Sequence, residues 1–180
     1  MPGDPVGIVL AAGEGRRYGM PKALARTAAG TPWSARAVDA LVEGGCRDVV
    51  VVLGALGEEA LHLVPSRAQV TLARDWAEGP AASLRAGLAA APEASVAVVT
   101  LVDLPDLAPT AVGRVLEAAG PRTLARASYA GRPGHPVVIG RRHWAAFSGG
   151  RRPAEVLGEL AVATIDCTDL GGGDDVDRRH

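Results

Sequence analysis

The residues best equipped for chemistry fall in one short loop, Gly13-Glu14-Gly15-Arg16-Arg17-Tyr18-Gly19-Met20-Pro21-Lys22, directly after an apolar run at 6–12. Glycines let backbone N–H groups turn toward an anion, the two arginines add planar donors, and the lysine adds a compact, mobile charge. Together they suit a triphosphate. The loop matches neither common phosphate fingerprint: it lacks the Gly-Lys-Ser/Thr of a P-loop, and Pro21 argues against the early helix that a dinucleotide-binding turn needs. A flexible surface turn would account for the glycines but not for cations set directly behind a buried strand. Lys22 stands out for a second reason: eighteen of the nineteen cations are arginine, and it is the single lysine.

Asp103 follows the apolar run Ser-Val-Ala-Val-Val-Thr-Leu-Val and precedes Leu104-Pro105, which sets its carboxylate at the end of a strand. A hard cation such as Mg²⁺ takes oxygen ligands, commonly one or two carboxylates plus substrate phosphates. From the residues alone, Asp103 reads equally as such a ligand or as a turn-capping aspartate. Gly79 and Ser83 lie, with Trp76 and Glu78, between an expected strand and an expected helix, where a nucleotide could approach the backbone closely. His135, between Gly134 and Pro136, is isolated, and a lone histidine is more often structural than functional. Asp174, Asp175 and Asp177 follow three glycines and fit either a ligand set or a solvated acidic segment. There is no convincing Ser/His/Asp or Cys/His nucleophilic set, so the chemistry indicated is positioning and charge neutralisation. Cys46 and Cys167 have no metal-site spacing and read as inert, buried thiols.

Something must hold these groups. Seven short runs rich in Val, Ile and Leu, at 6–12, 48–53, 69–73, 95–101, 123–128, 136–139 and 161–165, read as strands. Amphipathic stretches at 32–43, 81–91, 109–119 and 153–160 read as helices, the first with Thr31 as N-cap and Pro32 at its first position. This alternation predicts one three-layer α/β/α domain over residues 1–180 with a mostly parallel, Rossmann-like sheet. Ligands of such a sheet sit at the carboxyl ends of its strands. The segments 13–22, 54–57, 73–79 and 102–107 are therefore expected to converge on one edge.

The overall totals mostly exclude things. Nineteen basic residues against twenty acidic ones, a net charge of −1, give no general field for nucleic acid or an anionic membrane. The arginine pairs at 16–17, 141–142, 151–152 and 178–179 are too short to change that. With 48% hydrophobic but only 3% aromatic residues, the core should be aliphatic. No apolar run reaches the roughly 18–20 residues that span a bilayer, and the beginning lacks a signal-peptide pattern, so a soluble cytoplasmic protein is expected.

The segment LAAGEGRRYGMPKAL at 10–24 resembles the LAAGxSxRMGxPKxL signature of the MobA-like NTP-transferase family, which includes the molybdenum-cofactor cytidylyl- and guanylyltransferases. The resemblance continues in order along the chain. VVVLG at 50–54 is similar to the family's second strand and turn, DWAEGPAASLRAGL at 75–88 to WxEGMSSSLRAGL, and VDLPDL at 102–107 to its aspartate-containing turn. GRPGHPVVIG at 131–140 resembles GxRGHPVLF, and DLGGGDDVD at 169–177 the closing GDGTDIDTPED. Three departures are visible: Pro80-Ala81-Ala82 replaces Met-Ser-Ser, Gly149-Gly150-Arg151-Arg152 lacks the acidic residue of the family's Gly-Asp-x-Gly-Ala-Arg, and Arg178-Arg179-His180 stands where the family has Thr-Pro-Glu-Asp.

The resemblance implies a nucleotide-diphospho-sugar-transferase-like fold and Mg²⁺-dependent nucleotidyl transfer with release of pyrophosphate. It implies Arg16 and Lys22 on the departing phosphates and Asp103 and Asp177 on the metal. The nucleotide would lie on Leu10, Ala11, Ala12, Gly13 and Gly15 with Gly54, Gly79 and Ser83, and the acceptor on His135. That acceptor would be molybdopterin or its molybdenum-loaded form, with a transient contact to a molybdoenzyme or its chaperone. The Ala-Ala-Gly start and Pro21-Lys22 are closer to the cytidylyl branch, so CTP is expected over GTP. Two other readings stay open: the same chemistry on a sugar phosphate or phospholactate, and a non-catalytic nucleotide- or cofactor-binding accessory protein.

Overall fold

The computed structural model describes residues 4–178, which leaves Arg179 of the last arginine pair outside the described residues. Seven strands form one sheet: β1 (Val6–Ala11), β2 (Asp48–Leu53), β3 (Gln69–Leu72), β4 (Val96–Leu101), β5 (Leu124–Tyr129), β6 (Arg132–Gly140) and β7 (Ala163–Asp166). Their spatial order is β3-β2-β1-β4-β6-β5-β7. β1 lies parallel between β2 and β4, with Ile8 opposite Val50 on one side and Val99 on the other. These inner strands are buried on both faces, which is why they read as unbroken Val/Leu runs rather than alternating ones.

Only β6 runs against its neighbours, pairing antiparallel with both β4 and β5. The cause is local: β5 turns into β6 through Ala130-Gly131, both with positive φ (51° and 75°), the conformation that suits a two-residue hairpin on right-twisted strands. The strand expected at 136–139 is accordingly longer, because the hairpin lets pairing continue back to Arg132.

Helices α1 (Trp33–Glu43), α2 (Gly57–Ala60), α3 (Pro80–Ala89), α4 (Pro109–Leu116) and α5 (Pro153–Glu159) cover the sheet. One apolar cluster packs α1 and α4 on one face through Val38, Leu41 and Val112, and another packs α3 and α5 on the opposite face through Leu84, Leu88 and Val156. The core is aliphatic as composition indicates, and both cysteines are buried free thiols. The capping expectation for α1 needs correction. Pro32, not Thr31, occupies the N-cap position, with no side-chain cap. Thr31 is engaged elsewhere: its N–H donates to Thr27 Oγ1 at 3.2 Å while its carbonyl accepts from Thr27 N–H at 2.8 Å, closing a tight turn. Among the described residues, no helix is long and apolar enough to cross a membrane.

Candidate active site

The segments after β1, β2, β3 and β4 meet at the carboxyl edge of the sheet. Backbone bonds stitch them: Ala55 N–H donates to Ala12 O at 3.0 Å, Val102 N–H to Leu10 O at 3.1 Å, and Ala73 N–H to Leu53 O at 2.8 Å. The Gly/Arg loop folds back on itself, Gly19 N–H donating to Gly15 O at 2.8 Å. Gly15 has φ +63°, and a Cβ there would lie 1.9 Å from Met20 O, so the loop closes only on glycine. It ends in a short 3₁₀ turn, Lys22–Leu24, whose Ala23 is buried and anchors the lysine from below.

Lys22 is the electrostatic centre of this edge. Its Nζ donates to Asp103 Oδ2 at 2.6 Å and to Asp177 Oδ1 at 3.2 Å. Burial works against its charge, but hydrogen bonds and charges from Asp103 and then Asp177 outweigh that and raise its pKa above the ordinary lysine value. Lys22 and Asp103 are about equally sheltered, with side chains 15% and 14% exposed, whereas Asp177 is 42% exposed. The Lys22 bond holds the Asp177 carboxyl below its ordinary range, and Arg17 Nη1, 3.2 Å from Asp177 Oδ2, adds to this.

Asp177 arrives on a segment that crosses beneath the turn after β4. Val176 N–H donates to Asp103 O at 3.0 Å. At Gly172 (φ +77°) a Cβ would lie 2.1 Å from Asp106 O, so the glycine run is a close-fitting approach rather than a spacer. Oxygen atoms of Asp103, Asp175 and Asp177 all come within 4.8 Å of one another. Asp103 Oδ1 is buried with no hydrogen-bond partner. A buried carboxylate oxygen without a donor is costly unless a cation uses it, and an all-oxygen set suits a hard divalent ion such as Mg²⁺ or Mn²⁺. The residues present fit such an ion.

These groups border a cavity of about 470 Å³, within the range of small-molecule sites. Leu10, Ala11, Ala12, Gly13, Gly15, Lys22, Gly79, Ser83, Asp103 and Asp177 line it. Three residues expected at the site do not. Arg16 points off the cavity toward Glu14, its side chain 85% exposed, and borders a neighbouring hollow. Gly54 packs closely against Ala12 O and Trp76 and borders a different hollow. His135 lies on β6 two residues beyond the last β4 pair, Val99 with Val137, and is half-buried. Burial, then the nearby Arg126 charge, lower its pKa to about 4. Arg17, Trp76, Pro80, Leu101, Val102 and Asp175 complete the wall. Arg17 was the residue most easily missed, since an irregular loop has no period to say which of two adjacent arginines faces inward.

Residues 7–160 match the MobA-like NTP transferase domain. Nicotine blue oxidoreductase of Paenarthrobacter nicotinovorans is 36% identical over 194 residues, covering 95% of this chain and 91% of that protein. The crystal structure of Rv0371c from Mycobacterium tuberculosis superposes with a TM-score of 0.79 at 26% identity, over 92% of this chain and 89% of that one. The same mycobacterial protein has been solved in complex with manganese, with a TM-score of 0.76 at 23% identity over 91% and 88% of the two chains. The molybdopterin-guanine dinucleotide biosynthesis protein A of Archaeoglobus fulgidus shares the fold, with a TM-score of 0.65 at 19% identity over 92% and 85%. The ordered signature around Lys22 and Asp103, the sheet that presents them and the match over most of the chain converge: this protein belongs to the MobA-like NTP transferase family of nucleotidyltransferases.

Proposed function

We propose that the protein transfers a nucleoside monophosphate, CMP from CTP, to a phosphate of molybdopterin or its molybdenum-loaded form, releasing pyrophosphate with Mg²⁺ bound. The observation that carries this reading is the Lys22–Asp103–Asp177 constellation at the mouth of a nucleotide-sized cavity. An acceptor phosphate oxygen attacks the α-phosphorus in line, the bond to the bridging oxygen breaks, and pyrophosphate departs with the negative charge. Lys22 has three N–H donors, two of them on carboxylates, so one is free to meet the departing phosphates without losing its anchors. Arg17 adds a second cation from the cavity wall, and Arg16 contributes charge from the rim. Backbone from Leu10 to Gly15, with Gly79 and Ser83, bounds the nucleotide, and His135 faces the acceptor. Asp103, with Asp175 and Asp177, would hold the divalent ion, which when bound neutralises phosphate charge.

The test is pyrophosphate release from each of the four NTPs, with Mg²⁺ or Mn²⁺ and molybdopterin as acceptor. Turnover fastest with CTP supports the proposal. Turnover only with a sugar phosphate or phospholactate moves the acceptor assignment, and thermal stabilisation by nucleotide without any turnover favours the accessory reading.

One observation favours a second reading. The relative over nearly the whole chain is named an oxidoreductase, and the same cavity could take a reduced nicotinamide nucleotide by its phosphates and present it to a conjugated heterocycle. Oxidation of that nucleotide in the presence of nicotine blue, without pyrophosphate release from any NTP, would establish it over the transferase reading.

A further inference from the structure

Arg126 is the anomaly among the arginines. Most of its kind lie on the surface or pair with a carboxylate, and among the described residues every other arginine without a carboxylate partner is exposed. Arg126 is half-buried and has none. Its guanidinium meets only one carbonyl, Nε and Nη2 both donating to Gly134 O at 3.3 Å, which leaves N–H donors unused. A charge withdrawn from water in this way is normally balanced by an anion, and burial lowers its pKa from the usual guanidinium value.

Its place in the sheet says where that anion would come from. Ala125 and Ala127 pack into the α1/α4 face, so Arg126 between them projects to the opposite one, beside Val137. A register shift in β6 between Pro133 and Val137 breaks the alternation there, but Gly134, whose carbonyl accepts both Arg126 bonds, directly precedes His135, and the His135 ring feels the Arg126 charge. Leu10 of the cavity floor also packs on that face. The strand order β1-β4-β6-β5 therefore runs from the cavity floor to His135 and then to Arg126. At the usual strand spacing, the Arg126 backbone, two strands away, stands about 10 Å from β4.

We propose that Arg126 and His135 form an oxyanion site that anchors a second anionic group of the acceptor, apart from the phosphate that reacts. The acceptor class is then a compact molecule with two anionic ends, one at the carboxylates and Lys22 and one at Arg126. Calling the anion the acceptor's rests on the transferase reading; the site itself does not.

The test titrates the protein with inorganic phosphate and follows the ring resonances of His135, assigned by loss in His135→Gln, together with the Arg126 Nε–H resonance. Both should move saturably and together. Arg126→Gln and Arg126→Met should weaken the phosphate affinity read at His135 at least tenfold, while Arg17→Gln leaves it within threefold. The proposal falls if phosphate moves neither resonance of the wild-type protein, if a folded Arg126 variant binds as wild type, or if the response is lost in Arg17→Gln instead. Should neither Arg126 variant fold, the wild-type titration still decides. Because this readout needs no turnover, it stands or falls separately from pyrophosphate release; where turnover is present, Arg126→Gln should raise the acceptor KM at least tenfold with the NTP KM unchanged.

Discussion

Two carboxylates serve one lysine, and they are held by different physics. Asp103 sits in the turn two residues past β4, a strand buried on both faces, and its side chain is 14% exposed. Asp177 ends a segment held by the Val176 bond, by close glycine contacts and by charge, and is 42% exposed. The sheet places the first without regard to what is bound, whereas the second is placed partly by the ions it meets. A site built this way has a rigid half that defines geometry and a compliant half whose contribution depends on salt, metal and pH.

The sharpest way to break this contrast is Asp103→Asn. Losing a buried ligand while stranding Lys22 should cut turnover about a thousandfold or more, with metal excess giving no rescue; single-turnover pyrophosphate release checks it, and a loss of only a few fold would mean that the rigid half is not where chemistry is organised. Lys22→Arg should follow at about a hundredfold, with the melting temperature little changed, because a planar fork cannot replace a compact ammonium between two carboxylates and a phosphate. Next comes pH. The fold holds His135 neutral, so between its ordinary 6.5 and about 4 the native state binds fewer protons than the unfolded chain, and stability falls as pH drops through that window. From pH 7 to about 5 the loss should be at most about 2 kcal/mol by denaturant melts, and it should disappear in His135→Gln. Asp177→Asn should weaken metal affinity about tenfold and regain activity at raised Mg²⁺, the behaviour expected of the compliant half. The smallest effect belongs to Arg16→Ala, within about threefold in kcat/KM, while a larger loss would bring the rim arginine into the machinery.

The same contrast explains what could be read from residues alone. Runs such as those at 6–12 and 95–101 announce buried strands, and the segments that follow them then place Lys22 and Asp103. Short-range geometry hid more. The four-residue α2 and the use of Thr31 in a turn rest on local hydrogen bonds that no periodicity announces. The direction of β6 depends on Ala130 adopting a left-handed conformation that alanine rarely shows. Gly171–Gly173 suits a loose linker as well as a fitted crossing, and only the approach of Gly172 to Asp106 O separates them. Arg126 left no sequence signal, since its isolation among buried neighbours arises from the hairpin register.

The crossing at Val176 has a consequence for how the protein comes apart. Lys22 closes a loop of 81 residues with Asp103 and one of 155 with Asp177. Near-doubling the loop adds only about 0.6 kcal/mol of closure entropy, so the longer tie is not forbidding. It rests, however, on the Val176 bond, the fitted glycines and ion pairs to a side chain 42% exposed, and such a segment can detach in a sub-global opening while the sheet stays intact. A ligand that bridges Asp103 and Asp177 would favour the docked segment and slow such an opening without altering the sheet.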